Sequence, residues 1–401
     1  MRLLLLSHTV NPWTPHYARF FQSRGDQVLV VSFSSQPIDG VAMEFIGIDP
    51  WDKYANKHVY LTRVLRLRRI IKRFRPDVVY APFVVSNGLS AVLAWNGPTV
   101  TSGRGGDVLE QIGRVGWRRR LREYLVRFVC RRCVVVHSVS AEITAHLRRL
   151  GVPESKLVEI PVGVDTSLFV PAPDMPRPQA LRLICPRKHE PVYDNMTVVE
   201  ALGRLKASGR TFECVIASEG SLLAVHKARV HELGLDDRVS FPGEVPHAQV
   251  PAMLRDADIY ISATLSDGTS SALLEAMAVG LMPVVSRIPA NEPWIEHGRT
   301  GLLFEPGRPD SLAEMLERAM DDADLRRRAF EANVPRVREG GDQHRNMQQL
   351  AEVLERVVAE HPRGDHGQRL GLGRVDLARH DARARLVLGD EQLADAVARP
   401  G

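Results

Sequence analysis

The sequence predicts an α/β protein made of two successive doubly wound parallel sheets. Three observations point there. Short apolar runs recur without clean polar alternation, as in strands covered on both faces. Helical patterns separate them, and strand–helix alternation is the signature of a parallel sheet. A proline-dense stretch interrupts the alternation near the middle of the chain, after which it restarts.

Taken in order, the apolar runs at 3–6, 28–32, 78–80, 99–101 and 134–136 read as the first set of strands, and 17–24, 61–74 and 115–132 as helices between them. The stretch 78–103 carries no charge and is long enough to raise the question of a membrane span. Pro82, Ser86, Asn87, Gly88, Asn96, Gly97 and Pro98 interrupt it, so strand, loop and buried helix describe it better. The run Ile160-Pro-Val-Gly-Val-Asp165 and the prolines of 171–178 suit neither a helix interior nor a central strand, and mark a domain boundary. Beyond it 181–185, 212–217, 239–241, 259–262 and 282–285 read as strands, and 195–207, 222–233, 249–256 and 271–279 as helices. The expected division is one domain over 1–170, a second over 171–341, a helix over 342–361 and a poorly ordered tail, without a catalytic part, over 362–401. Two such sheets are expected to face their strand C-termini toward a shared cleft, where ligands of α/β sheets bind.

The bulk properties agree. A chain of 401 residues with 44% hydrophobic and 25% charged side chains is globular, which excludes disorder, collagen and coiled coil for the bulk. Four cysteines do not make a disulfide scaffold; Cys130-x-x-Cys133 lacks a second pair and reads as plain thiols rather than zinc ligands, in a reducing cytoplasmic setting. The apolar start covers only 3–6 and ends at Ser7-His8, too short for a secretory signal. Net charge is +5, but 1–165 holds 24 Lys and Arg against 13 Asp and Glu, a local +11. Much of it sits in 63–75 and 114–132. In the second stretch Trp117, Leu121, Leu125 and Phe128 share a helical face among arginines. Two readings stand: docking on an anionic membrane surface, on the inner face of the cell membrane, or an apolar stripe packed on the sheet. Nucleic acid is not expected, because no recognition motif accompanies the charge.

The informative stretch for chemistry is 266–286. A strand ends at Ser262, a Gly/Ser/Thr loop follows, and a helix opens near Ser271. Free amides and the helix dipole there make an anion site suited to phosphate. Gly268 lets the backbone come close, and Thr269, Ser270 and Ser271 offer hydroxyls. Glu275, one turn inside, can accept two hydrogen bonds such as a ribose diol provides. The bland alternative is that Ser270 or Ser271 caps a helix and Glu275 is solvated.

The run Glu275-Ala-Met-Ala-Val-Gly280 with Pro283-Val-Val-Ser286 resembles the donor-site signature of the retaining glycosyltransferases of family four, the group 1 glycosyltransferases. In that family two Glu stand eight positions apart; here Asp267 replaces the first. Ile160-Pro-Val-Gly-Val-Asp-Thr-Ser-Leu-Phe169, Gly234-Leu-Asp-Asp-Arg-Val-Ser-Phe-Pro-Gly243 and Arg104-Gly-Gly-Asp-Val108 are similar to further segments of the family, and the resemblance covers roughly residues 1 to 360. It implies the GT-B fold of two facing Rossmann-like domains with an interdomain cleft, the first binding the acceptor and the second the nucleotide-sugar. It also implies Arg187 as a ligand of the donor diphosphate, with Lys188 a weaker candidate and Tyr193 at the usual Lys position. A surface ion pair is the plain alternative for Arg187.

Under that resemblance a UDP- or GDP-linked sugar is the donor, and a sugar, lipid-linked or small-molecule hydroxyl is the acceptor. Arg187 and the helix start would stabilise charge building on the leaving phosphate. Asp267 would orient the sugar or share its positive charge. Retention by front-face attack is what the family implies. No Asp-x-Asp motif occurs at a suitable loop, so neither a metal nor another cofactor is expected. On the acceptor side His8, His16 and Asp107 lie at or just after strand ends, Asp107 as an orienting group or base; the histidines read as structural sooner than as chemical. Glu219 lines the nucleotide pocket or is a plain loop acid. Two other functions remain open: a catalytically weak sugar-nucleotide binding protein, supported by Asp267 and the missing Lys, and a sugar-nucleotide epimerase of the same architecture. An NAD-linked oxidoreductase is disfavoured, since no G-x-G-x-x-G opens the first βα unit.

Overall fold

Strands rich in Leu and Val with no polar face need cover on both sides, and both sheets supply it. The computed structural model describes residues 1–11, 13–48, 58–109, 116–171 and 181–362. The predicted tail, all but its first residue, lies outside them, as do residues 172–180 of the proline-dense stretch. Among the described residues two units emerge: one comprises 1–138, 144–159 and 349–362, the other 139–143 and 160–348.

The first unit contains β1 (Arg2–Ser7), α1 (Trp13–Ser23), β2 (Gln27–Ser32), β3 (Met43–Phe45), α2 (Val59–Thr62), α3 (Val64–Phe74), β4 (Val78–Pro82), α4 (Leu89–Ala94), β5 (Thr99–Gly103), α5 (Trp117–Arg132), β6 (Val135–Ser138), α6 (Ala141–Arg149, whose first turn clusters with the second unit) and β7 (Leu157–Glu159). All seven strands are parallel, in the order β3-β2-β1-β4-β5-β6-β7. Leu3 to Leu6 are fully buried, as a central strand requires. The uncharged stretch at 78–103 resolves into β4, a turn, α4 and β5; among the described residues no helix is long and apolar enough to cross a membrane. The predicted helix at 61–74 is two pieces broken at Arg63, and its end is set by Arg75 at φ 51°.

Helix α5 turns out to have two apolar faces. It packs through Val126, Val129 and Cys130, not through the predicted stripe. Trp117 is 68% exposed, Leu121 48% and the neighbouring Tyr124 62%. The reading in which this stripe covers the sheet therefore fails at its N-terminal half, because the 3.6-residue period puts Val126, Val129 and Cys130 on the opposite side. All four cysteines are free and buried.

The second unit contains β8 (Leu181–Cys185), α7 (Asn195–Ala207), β9 (Phe212–Ile216), α8 (Leu223–Glu232), β10 (Val239–Ser240), α9 (Val250–Arg255), β11 (Ile259–Ser262), α10 (Ser271–Ala278), β12 (Met282–Ser286), β13 (Leu302–Phe304), α11 (Pro309–Asp321) and α12 (Ala323–Gly340). Its six strands run parallel in the order β10-β9-β8-β11-β12-β13. A last helix, α13 (Gln343–Glu360), begins in this unit and clusters with the first from Gln349 on.

Two glycines of the recognised motifs have a steric reason. Gly280 ends α10 at φ +89°, where a Cβ would lie 2.2 Å from the Phe330 ring. Gly163 sits at φ +79°, and a Cβ would lie 2.7 Å from the Gly341 carbonyl oxygen. That closeness lets Val164 N donate to Gly341 O at 2.7 Å while Gln343 N donates to Val164 O at 2.9 Å. Asp165 then caps the next turn, accepting from Ser167 N and Leu168 N. These bonds explain why 160–171 clusters with the second unit, ahead of the proline-dense run.

Candidate functional site

Where a parallel sheet winds outward in both directions from its middle, the loops after two neighbouring strands part and leave a crevice. In the second unit that point lies between β8 and β11. Arg187 follows β8, and the loop 263–270 follows β11.

The two loops meet through Arg187. It is buried; its Nη1 donates to Ser270 Oγ at 3.0 Å and its Nη2 to Asp267 Oδ2 at 2.7 Å. The guanidinium also lies over Tyr193, 4.3 Å from the ring centroid. Ser270 is the N-cap of α10, its hydroxyl accepting from Leu273 N at 3.3 Å, an arrangement worth about 1 kcal/mol. Asp267 Oδ1 accepts from Gly268 N at 2.8 Å. Thr269 Oγ1 donates to the Val139 carbonyl. The loop is thus tied at Asp267, Thr269 and Ser270, and the positive pole of α10 lies beside a fixed guanidinium. Both favour an anion.

Glu275 lies on α10, mostly buried, with Oε1 3.8 Å from His247 Nε2. The carboxylate raises the His247 pKa, and Phe169 packs edge-on to the imidazole at 5.8 Å. Lys188 is exposed next to buried Arg187, as alternation along an extended chain dictates. Glu219 is exposed too; its backbone carbonyl accepts from His189 N at 3.0 Å, and its carboxylate lies over Gly243. Neither side chain bonds Arg187, Asp267 or Ser270. Among the described residues no group of three or more His, Cys, Asp or Glu is arranged to hold a metal ion.

In the first unit the winding changes direction between β1 and β4. Asp107, in the loop after β5, accepts from Val84 N at 2.9 Å and from Arg104 N at 2.8 Å, one bond to each oxygen. Burial pushes its pKa up to about 6 despite those bonds. It pins the turn after β4, where Phe83 is held at φ 72°. His16 is exposed on α1, with its ring 6.4 Å from Trp13. His8 Nε2 lies 2.8 Å from Tyr60 Oη, and burial lowers its pKa to about 4, so the imidazole is neutral.

Two family profiles match this chain: "Glycosyl transferases group 1" over residues 184–334 and "Glycosyltransferase Family 4" over residues 15–168. Together they account for well over half of it. The chain belongs to the group 1, family four glycosyltransferases. WcaL of Salmonella typhimurium, named for colanic acid biosynthesis as a glycosyltransferase, is 31% identical over 227 residues, 53% of this chain and 54% of that protein. The amylovoran biosynthesis glycosyltransferase AmsK of Erwinia amylovora is 32% identical over 217 residues, 52% of this chain and 53% of that protein. The chain thus spans little more than half the length of these curated relatives. Among solved structures, Anabaena HepE in complex with UDP superposes with a TM-score of 0.73, at 16% identity, covering 88% of this chain and all of that one. The fold is GT-B, each unit a Rossmann-like parallel sheet.

For this family member, sequence reasoning singled out Arg187, Asp267, Gly268, Thr269, Ser270, Ser271 and Glu275, and the fold brings the first of these to the loop and helix that carry the rest. Three features went unread. Tyr193 stacks on Arg187; His247 faces Glu275; Arg104 is tied to Tyr17 and Tyr80. Tyr193 carried a signal, since an aromatic next to an Arg position suits a cation–π pair. The other two depend on folding alone.

Proposed function

We propose that this chain is a retaining glycosyltransferase that moves a sugar from a UDP- or GDP-linked donor to a hydroxyl acceptor in polysaccharide synthesis. The observation that carries the reading is the fork of Arg187 fixed beside the start of α10 at the switch point of the second sheet. A diphosphate entering there takes its charge-assisted bonds from Arg187 and from the open amides of α10. Its arrival draws the guanidinium from Asp267 and leaves that carboxylate to the hydroxyls of the sugar. Glu275 holds the ribose. As the glycosidic bond breaks, the same donors stabilise the charge on the departing phosphate, in a preorganised site that needs no metal. The Anabaena HepE structures with UDP, with UDP and glucose, and with UDP-glucose support the uridine choice. The names of WcaL and AmsK support a polysaccharide acceptor. Residues 1–170 take the acceptor, 171–341 the donor, and 342–361 return toward the first domain.

The enzyme works in the cytoplasm at an anionic membrane surface that presents a lipid-linked acceptor. Support comes from α5: Trp117, Leu121 and Tyr124 form an exposed ridge opposite its packed face. On the helical wheel Arg120, Arg127 and Arg131 flank one side and Arg118 and Arg132 the other, while Glu123 is paired with Arg119 away from the ridge. Such a helix lies in an interface, with about 1 kcal/mol from each arginine near anionic lipid. Flotation with phosphatidylglycerol vesicles, against phosphatidylcholine, is expected to carry the wild type and lose the Trp117→Ser, Leu121→Ser variant.

The catalytic reading is tested by calorimetric titration with UDP and GDP, followed by donor-hydrolysis and transfer assays, each with and without EDTA. Binding with hydrolysis or transfer, unaffected by EDTA, is expected. Binding without either leaves a sugar-nucleotide binding protein, and release of an epimerised sugar without acceptor leaves an epimerase.

A further inference from the structure

The guanidinium of Arg104, in the first unit, has N–H groups without an acceptor among the described residues. Arg104 follows β5 and reaches toward the switch point of the first sheet. Its Nε donates to Ser102 Oγ at 2.8 Å, and its Nη2 to Tyr17 Oη at 2.8 Å and Tyr80 Oη at 3.1 Å. Its Nη1 is shut off from bulk water and has no hydrogen-bond partner among the described residues. The neighbouring carboxylate, Asp107, has each oxygen engaged by a backbone amide, and Arg104 has no ion pair among the described residues. The side-chain bonds of Arg104 thus go to two phenols and a hydroxyl, all of them neutral.

Arg104 lines a small pocket together with Ser7, Asn11, Trp13, Thr14 and Tyr17. Its free space is about 10 Å³, room for one oxygen-sized group rather than a sugar ring. The pocket sits over the C-terminal ends of β1 and β4, where the sheet changes direction, which is where α/β sheets bind ligands. The first turn of α1, with its positive pole, forms part of the wall. The Tyr17 hydroxyl accepts from Arg104, so its own proton is left to donate. Charge, helix pole and hydroxyl all favour a negatively charged oxygen. An enclosed Nη1 whose two N–H groups lack an acceptor is costly unless something that enters the pocket completes them.

We propose that this pocket is an anion subsite for the acceptor, taking one oxygen of a carboxylate or phosphate carried by the molecule that receives the sugar. It makes the acceptor class acidic. The proposal rests on the reading that the first domain holds the acceptor, and its test uses no transfer reaction.

The full chain is titrated calorimetrically with glucuronate, with inorganic phosphate and with glucose at matched ionic strength, with and without saturating UDP, as wild type and as Arg104→Gln. One anion or both bind the wild type and glucose does not. Arg104→Gln weakens that binding roughly 10- to 100-fold, the range for a lost bond to a charged group, while its UDP affinity is unchanged. Glucuronate alone identifies a carboxylate-bearing acceptor, and phosphate alone a phosphorylated one. Should Arg104→Gln fail to fold, Tyr17→Phe, which keeps the ring, weakens the same anion by roughly threefold to tenfold. Absence of anion binding to the wild type, or equal binding by the folded variant, overturns the proposal; Nη1 is then completed by water. Failure of the wild type to bind UDP counts against the donor reading instead and leaves the anion comparison intact.

Discussion

Replacing Arg187 by methionine tests the group on which the proposed donor binding depends. The side chain makes two charge-assisted bonds, 3.0 Å to Ser270 and 2.7 Å to Asp267, and stacks on Tyr193. Methionine keeps a long apolar stem against the ring and removes both donors and the charge. A diphosphate then loses two bonds to a charged donor, each worth about 1.5 kcal/mol net at the low end, so about 3 kcal/mol, or roughly 100-fold in Kd. Folding suffers less. The Asp267 side chain is 23% exposed and regains water, so the unpaired carboxylate costs only about 1 kcal/mol. Calorimetric titration with UDP and GDP, paired with a thermal melt, separates the two effects. Arg187→Lys, which keeps the charge but reaches only one partner at a time, is expected to fall between. A folded Arg187→Met protein that binds UDP within about twofold of wild type would show that the diphosphate sits elsewhere.

Glu275→Gln removes the carboxylate one turn into α10, and donor turnover is expected to drop roughly 100-fold with little loss of stability; unchanged turnover in a steady-state assay refutes the ribose assignment. Asp267→Asn frees Arg187 from its competitor, so UDP binds as tightly as wild type or up to roughly tenfold tighter while sugar transfer falls; weaker UDP binding means the carboxylate orients Arg187 instead. His8 and His189 are lowered to about 4 by burial and stay neutral in the fold, whereas in the unfolded chain they take up protons near pH 6.5. The unfolded state then binds more protons, so stability is lost as pH falls from 6.5 to 4, by at most about 3 kcal/mol for each histidine. Urea unfolding across that range, with His8→Gln and His189→Gln flattening the slope, checks it. The His247–Glu275 pair acts in the opposite sense: the raised His247 value contributes stability that is full below pH 6.5 and lost as pH rises through the folded pKa. Glu275→Gln abolishes that share.

Much of the fold was legible because burial on two faces leaves a mark in the chain. Leu3 to Leu6 and Ile259 to Ile261 read as strands since residues covered on both faces are apolar with no alternation. The three-residue edge strands β3, β7 and β13 were not read, nor were α4, α6, α11 and α12. The loop 266–271 was legible because cap, glycine and carboxylate are close in sequence, and helical spacing places Glu275 just over a turn beyond the Ser270 cap.

What the chain determined by itself is therefore local: which segments alternate and where the helix capped by Ser270 begins. Tertiary structure alone decided which charges meet. Arg187 and Asp267 are 80 residues apart, Arg104 and Tyr17 87, and their contacts come from the order of strands in a sheet. It also decided which of two apolar faces of α5 is buried, since a helix with apolar residues on both sides carries no information about the side its sheet will cover.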